Sequence, residues 1–165
     1  MLIDGIASFN ALPSEAAEEW LYRCFANRTW ATQVAARRPY KDVGEVVAAA
    51  ESAWSGLTAD DWLEAFAAHP RIGEKGGHAP ATSEREQRKL AQGSGVTLNA
   101  IAAENREYER QFGHVFLIAA SGRTAEEILG ELRRRRGNDA ATELQVAAAE
   151  QRKITRLRLE ALLKG

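Results

Sequence analysis

Apolar side chains recur along this chain at helical spacing, and polar or glycine-rich breaks divide them into separate runs. Between Pro13 and Asn27, the residues Ala17, Trp20, Leu21, Cys24 and Phe25 return every few positions, which predicts a helix with Ser14 as its N-cap. Asn27 is placed to cap a second helix carrying Trp30 and Val34. That helix must stop near Arg38, because the residue before Pro39 is steered away from helical angles. Val43, Val46, Val47, Ala50 and Trp54 mark one face of a third helix, ended by Gly56. Thr58 opens the next, with Trp62, Leu63 and Phe66 inward, and Pro70 closes it just after His69.

The texture then changes. From residue 69 to residue 82 glycines and prolines crowd together (Gly73, Gly76, Gly77, Pro80) without apolar periodicity, a loop longer than compact domains carry without a function. Ser83 to Glu86 has capping-box spacing and predicts a new helix start, with Gly93-Ser94-Gly95 as its end. Thr97 restarts the pattern: Leu98, Ile101, Asn105, Tyr108 and Phe112 form a stripe, and Gly113 is a natural left-handed stop. Val115 to Ala120 is apolar on every side, and periodicity leaves an extended and a short helical form both open. Thr124 to Glu127 repeats the capping box ahead of Ile128, Leu129 and Leu132, and Gly137 ends that helix. Asn138 is expected to cap a long last helix whose face steps through Leu144, Ala147, Gln151, Ile154, Arg158 and Leu162. The pattern predicts an all-α fold: one domain over residues 1–165, a bundle of roughly eight helices around one glycine-rich loop.

Composition agrees with that picture and narrows the partners. The 165 residues include 31 alanines spread over the whole chain, and 45% apolar with 27% charged residues is the balance of a soluble globular protein. Lys and Arg number 22 against 23 Asp and Glu, so a net charge of -1 offers no field for nucleic acid or an anionic membrane. Any ligand must be recognised locally. The single cysteine, Cys24, can form neither an internal disulfide nor a thiolate cage, and it reads as a small buried hydrophobe in a reducing cytoplasm. No run is apolar for long enough to span a membrane, Met1 to Gly5 lacks a secretory start, and Leu162 to Gly165 is not a peroxisomal address; the expected location is the cytoplasm. His69, His78 and His114 share no metal-binding spacing, so no metal is expected. Gly73 to Gly77 lacks the spacing of a phosphate loop, and Arg133 to Arg136 reads as a solvated basic face at a helix C-terminus.

Three polar residues stand where the pattern asks for something else. Arg158 shares a stripe with Ile154 and Leu162, so its head either snorkels or meets an internal acid, or it clamps a ligand carboxylate or urea-like carbonyl. Glu86 can complete the capping box with Ser83, or join Ser83 and Gln87 in holding ureido nitrogens and oxygens. His69, at a proline-broken helix end beside the glycine-rich loop, is either a capping residue or a proton-transfer group suited to neutral pH.

Several motifs in register carry a resemblance. His69-Pro70-Arg71-Ile72-Gly73, Ser83-x-x-Glu86-Gln87, Asn105-x-x-Tyr108, Phe112-Gly113-x-x-Phe116, Gly122-Arg123 and Leu157-Arg158-Leu159 follow in that order, preceded by Phe9-x-x-Leu12-Pro13, the Trp30 region, Arg38-Pro39-Tyr40 and Trp54 through Phe66. Over almost the whole chain, from Phe9 to Leu162, this closely resembles the 2-oxo-4-hydroxy-4-carboxy-5-ureidoimidazoline (OHCU) decarboxylase family.

The resemblance implies an all-helical enzyme, a homodimer in most relatives, that acts last in the conversion of urate to allantoin and makes the S enantiomer without metal or organic cofactor. Carried over by motif, the catalytic histidine is His69, its neighbouring substrate contact is Pro70, and the polar binding stretch is Ser83, Glu84, Arg85, Glu86 and Gln87. The apolar substrate-contacting segment is Phe116, Leu117, Ile118, Ala119 and Ala120, and the substrate arginine is Arg158. His69, Glu86 and Arg158 are the candidates for catalysis. Tyr40 stands where many relatives have phenylalanine, and the missing peroxisomal tripeptide favours a bacterial-style cytoplasmic enzyme. The alternatives are a non-catalytic helical interaction domain and a lyase or hydrolase acting on a related ureido compound.

Overall fold

Short-range helix signals account for most of the architecture in the computed structural model, which describes residues 5–74 and 76–163 apart from the Leu162 side chain. The sequence readings that involve Met1 to Asp4, Lys75, the Leu162 side chain and Lys164-Gly165 lie outside the described residues. Among the described residues there are nine α-helices and no strand: α1 (Gly5–Ala11), α2 (Ser14–Cys24), α3 (Arg28–Ala36), α4 (Val43–Trp54), α5 (Ala59–Ala67), α6 (Pro80–Glu86), α7 (Gly95–Phe112), α8 (Ala125–Arg135) and α9 (Ala140–Leu163). A single 3-10 turn, Leu90–Gln92, sits between α6 and α7. The all-α expectation is met.

Several helix starts follow the predicted caps. Asn27 accepts from the Trp30 N–H, Thr124 from the Glu127 N–H, and Thr58 and Asp61 exchange side-chain and backbone bonds at the start of α5. Others differ for identifiable reasons. Short α1 carries no periodic signature in the sequence and is an addition to the expected helices. Ser14 lies inside α2, whose first turn begins after Pro13 without a side-chain cap. Ser83 does not start a helix: Pro80, with its preset φ, takes the first position of α6, and the Ser83 N–H is already bonded to the Ala79 carbonyl at 3.0 Å. Helix α7 begins before Thr97, with Ser94 as its cap. Asp139, not Asn138, caps α9 by accepting from the Thr142 N–H at 2.8 Å, while the Asn138 amide donates to Glu143. Val115 to Ala120 adopts neither helix nor strand.

The chain divides into two compact units, residues 1–65 with 152–165 and residues 66–151. The first has an aromatic core. Phe9 packs on Trp20 with ring centroids 5.0 Å apart, and Phe25 contacts both Trp30 and Trp54 at 5.2 and 5.0 Å. Cys24 is fully buried there, as expected. The Arg38-Pro39-Tyr40 motif proves structural: the Arg38 guanidinium donates to the Phe9 and Leu12 carbonyls at 2.9 and 2.6 Å, and the Tyr40 hydroxyl donates to the Val34 carbonyl at 2.6 Å. In the second unit Ile72, Leu90, Ile101, Phe116, Ile118, Ile128 and Leu132 form the apolar core around Tyr108. No helix among the described residues is long and apolar enough to cross a membrane.

Candidate active site

His69 follows the last turn of α5, its N–H bonded to the Phe66 carbonyl at 3.1 Å, and Pro70 prevents further helix. The glycine-rich loop then folds back on this point. The His78 N–H donates to the Ala68 carbonyl at 2.9 Å, and His78 Nδ1 lies 3.1 Å from the same oxygen. A carbonyl only accepts, so His78 carries its proton on Nδ1 when neutral. Gly77 makes the approach possible: its φ is +79°, and a Cβ there would stand 2.6 Å from Pro70 Cδ and 2.9 Å from the Ala68 oxygen. The His78 ring meets the His69 ring edge-on, with centroids 5.1 Å apart at 89°. His69 Nε2 also lies 2.7 Å from Oε1 of Gln151, a fully buried residue of α9.

The polar stretch splits by helix face. Ser83 is buried and Glu86 and Gln87 are half-buried, whereas Glu84 and Arg85 are exposed. Gln87 Oε1 accepts from the Gly73 N–H at 2.7 Å, so this side chain braces the loop. A cavity of about 470 Å³ in the second unit is lined by Ile72, Leu90, Leu98 and Ile101 with Glu84 and Gln87. His69, Pro70, Ser83, Glu86 and residues 116–120 do not line it.

The Phe116 to Ala120 segment is held by polar groups in place of a ladder. Arg135 Nη1 donates to the Leu117 carbonyl at 2.7 Å, and its guanidinium lies over the Phe116 ring at 4.5 Å. The Ala119 N–H donates to Glu150 Oε1 at 3.3 Å, and Arg123 Nε donates to the Ala119 carbonyl at 3.1 Å. Arg135 departs from the predicted solvated face. Arg133, Arg134 and Arg136 pair with Glu104, Glu131 and Glu107 toward the surface, but the Arg135 side chain is 1% exposed and Nη2 is 2.6 Å from Glu143 of α9. The reason is helical rotation: four consecutive residues cannot share one face, and the third of this run points inward. Glu143 also accepts from the Tyr108 hydroxyl and from the Asn138 amide. Burial first, and then this bond to a carboxylate, push the Tyr108 hydroxyl well above its ordinary range, so it stays a donor.

Arg158 belongs to the first unit. It is buried, and its Nη1 donates to the Arg23 carbonyl at 3.3 Å. His69, Pro70, Ser83 to Gln87 and Phe116 to Ala120 all belong to the second unit. Within it, consecutive residues of α9 reach two of these groups, Glu150 touching the Ala119 amide and Gln151 touching His69. Sequence reasoning did not single out Gln151, Glu150, Arg135, Glu143 or His78 as parts of the site. Gln151 had a usable signal, a polar amide on the apolar stripe of the last helix; Arg135, inside its basic run, had none. Among the described residues no group of three or more His, Cys, Asp or Glu side chains could hold a metal ion.

Known proteins resemble this chain in sequence and in fold. The family model described as OHCU decarboxylase matches residues 10–160. The uric acid degradation bifunctional protein of Arabidopsis thaliana is 34% identical over 151 residues, which cover 88% of this chain and 46% of that protein. The 2-oxo-4-hydroxy-4-carboxy-5-ureidoimidazoline decarboxylase of Amia calva is 36% identical over 95 residues, 54% of this chain and 53% of that protein. The chain thus spans about half the length of these curated relatives. A crystal structure of OHCU decarboxylase in the presence of (S)-allantoin matches with a TM-score of 0.79 at 36% identity, over 90% of this chain and 99% of that one. A solved (S)-allantoin synthase, 18% identical with a TM-score of 0.74 over 98% of this chain and 54% of that one, shares the fold. Matched by its family model over residues 10–160 and by a solved relative along nearly its full length, the chain belongs to the OHCU decarboxylase family.

Proposed function

We propose that this chain decarboxylates 2-oxo-4-hydroxy-4-carboxy-5-ureidoimidazoline to (S)-allantoin, the last step from urate to allantoin, without a cofactor. The observation that carries the reading is the setting of His69: an imidazole in the family's motif, directed by Pro70 behind it and by a 2.7 Å contact to buried Gln151. Decarboxylation breaks the bond to the carboxylate, which leaves as carbon dioxide. The electron pair passes into the ring, and one ring carbon takes up a proton on one face. An imidazolium at His69 supplies that proton and becomes neutral, a role that imidazole side chains take in general acid–base catalysis.

Glu86 and Arg158 hold the ureido group and the anionic ring, with Ser83, Glu84, Arg85, Gln87 and Pro70 completing the binding stretch; such orientation contributes several kcal/mol when geometry is right. Backbone amides along Phe116 to Ala120 other than that of Ala119, which is bonded to Glu150, add neutral donors, and the apolar side chains of the segment keep water from the leaving carboxylate. Residues 1–165 act in this reading as one catalytic domain, which the family match over 10–160 supports, working as a cytoplasmic homodimer apart from nucleic acid and membranes.

Freshly hydrolysed 5-hydroxyisourate tests the proposal, with allantoin followed by circular dichroism. The chain should accelerate carbon dioxide release and give an excess of the S form. His69→Ala should lose about a hundred- to ten-thousand-fold in turnover with the fold intact, whereas Arg158→Ala should chiefly raise KM. Unchanged carbon dioxide release by the His69 variant would sink the assignment.

A further inference from the structure

We infer that Gln151 is a positioning residue for His69: it holds the proton of the neutral ring on Nε2 and so leaves Nδ1 as the nitrogen that exchanges a proton with substrate. The inference rests on the decarboxylase reading for its chemistry, but on geometry alone for the hold itself.

An amide oxygen accepts and cannot donate, so a contact of 2.7 Å between Gln151 Oε1 and His69 Nε2 requires hydrogen on the imidazole nitrogen. In the neutral ring that selects the Nε2–H tautomer. In the imidazolium the same bond persists and Nδ1 gains the second proton. One acceptor therefore serves both states of the proton cycle, and the ring need not turn between them. The amide is also uncharged, so it orients the ring without stabilising the cation as a carboxylate would. A fully buried glutamine on the middle of α9 is a rigid mount, and its neighbour Glu150 holds the Ala119 amide from the same helix. Ring and apolar segment thus share one support.

Among the described contacts, the His78 ring from the glycine-rich loop packs against His69, and its Nδ1–H is directed at the Ala68 carbonyl. Gln151 itself does not titrate. In the proposed step the bond to the carboxylate breaks, its electron pair passes into the ring, a ring carbon takes the proton from Nδ1–H, and His69 is reprotonated at Nδ1 from water. Charge balances, because the substrate anion and one proton yield neutral allantoin and carbon dioxide.

Nitrogen-15 NMR of the imidazole rings reads the tautomer directly in the full chain without substrate. His69 should show a protonated Nε2 and an unprotonated Nδ1 above its pKa. Gln151→Leu, close in volume, should mix the tautomers and lower kcat about ten- to a hundred-fold with KM little changed. Gln151→Glu should stabilise the imidazolium and move the alkaline loss of kcat to higher pH by about one unit or more. A packing role alone would leave that limb in place. An Nδ1–H signal in an active enzyme overturns the hold, as does a Gln151→Glu profile that matches the parent; if Gln151→Leu fails to fold, those two measurements still decide. An Nε2–H signal in a protein that releases no carbon dioxide overturns the decarboxylase reading and the Nδ1 proton transfer with it.

Discussion

The two compact units of this chain bury different chemistry. In the first, Phe9, Trp20, Phe25 and Trp30 fill the interior, and its buried polar groups, Asn27, Thr155 and Arg158, are few. In the second, Arg135 and Glu143 are wholly buried beside Tyr108, and Glu150 and Gln151 point inward from the same helix. A dry aromatic core needs only volume and periodicity. A buried ion pair needs each partner in place, because either charge left alone in an apolar interior is costly. The second unit accepts that fragility where irregular backbone, the glycine-rich loop and residues 115–120, has to be held in one conformation without helix or sheet bonds.

The largest effect should come from breaking the ion pair on one side. Arg135→Leu leaves Glu143 buried and unpaired, a loss of about 3–5 kcal/mol. Urea unfolding measures it, and adding Glu143→Leu should restore part of the loss. Leu21→Ala in the first unit should cost about 2–5 kcal/mol by leaving a cavity, with no second substitution able to compensate by removing a charge. Failure of Glu143→Leu to restore any of the Arg135→Leu loss would erase the contrast between the units.

Gly77→Ala probes the loop. Its positive φ and the 2.6 Å approach to Pro70 force a shift of the backbone that carries His69, at about 1–3 kcal/mol of stability. Turnover should fall further than that loss explains, which steady-state rates on fully folded protein would reveal. A fall in stability with normal turnover would detach the loop from the chemistry.

The smallest effect lies at a helix start of the first unit. Asp61 is held below the ordinary carboxylate range, chiefly by the Thr58 N–H, with help from the Asn27 amide and Thr58 hydroxyl and against a burial penalty. A depressed folded-state pKa contributes stability above the unfolded pKa and loses it as pH falls through the folded value. Asp61→Ala should therefore cost about 1 kcal/mol at neutral pH, and the difference from the parent should shrink below about pH 4. Thermal melts across pH test the sign.

The helices of the first unit are largely legible in the sequence. Ala17, Trp20, Leu21 and Cys24 are buried on one face of α2, and Asn27 caps α3 as its position suggests. Local rules also misled where two of them competed. Ser83 had the spacing of a cap, but Pro80 claimed the helix start three residues earlier. The motifs led to His69, Pro70 and the Phe116 to Ala120 segment, but not to what holds them. Gln151 lies 82 positions from His69, and Arg135 lies 18 from Leu117.

Periodicity, capping side chains and glycine placement are written within one or two turns of chain, so they settled the all-α class, the presence of most helices and the loop after His69. Which face of a basic run turns inward, which glutamine meets a histidine, and which carboxylate a buried arginine finds are choices between distant partners. Those were decided only by packing, because a buried charge or an unpaired imidazole must be satisfied by whatever the folded chain brings within reach.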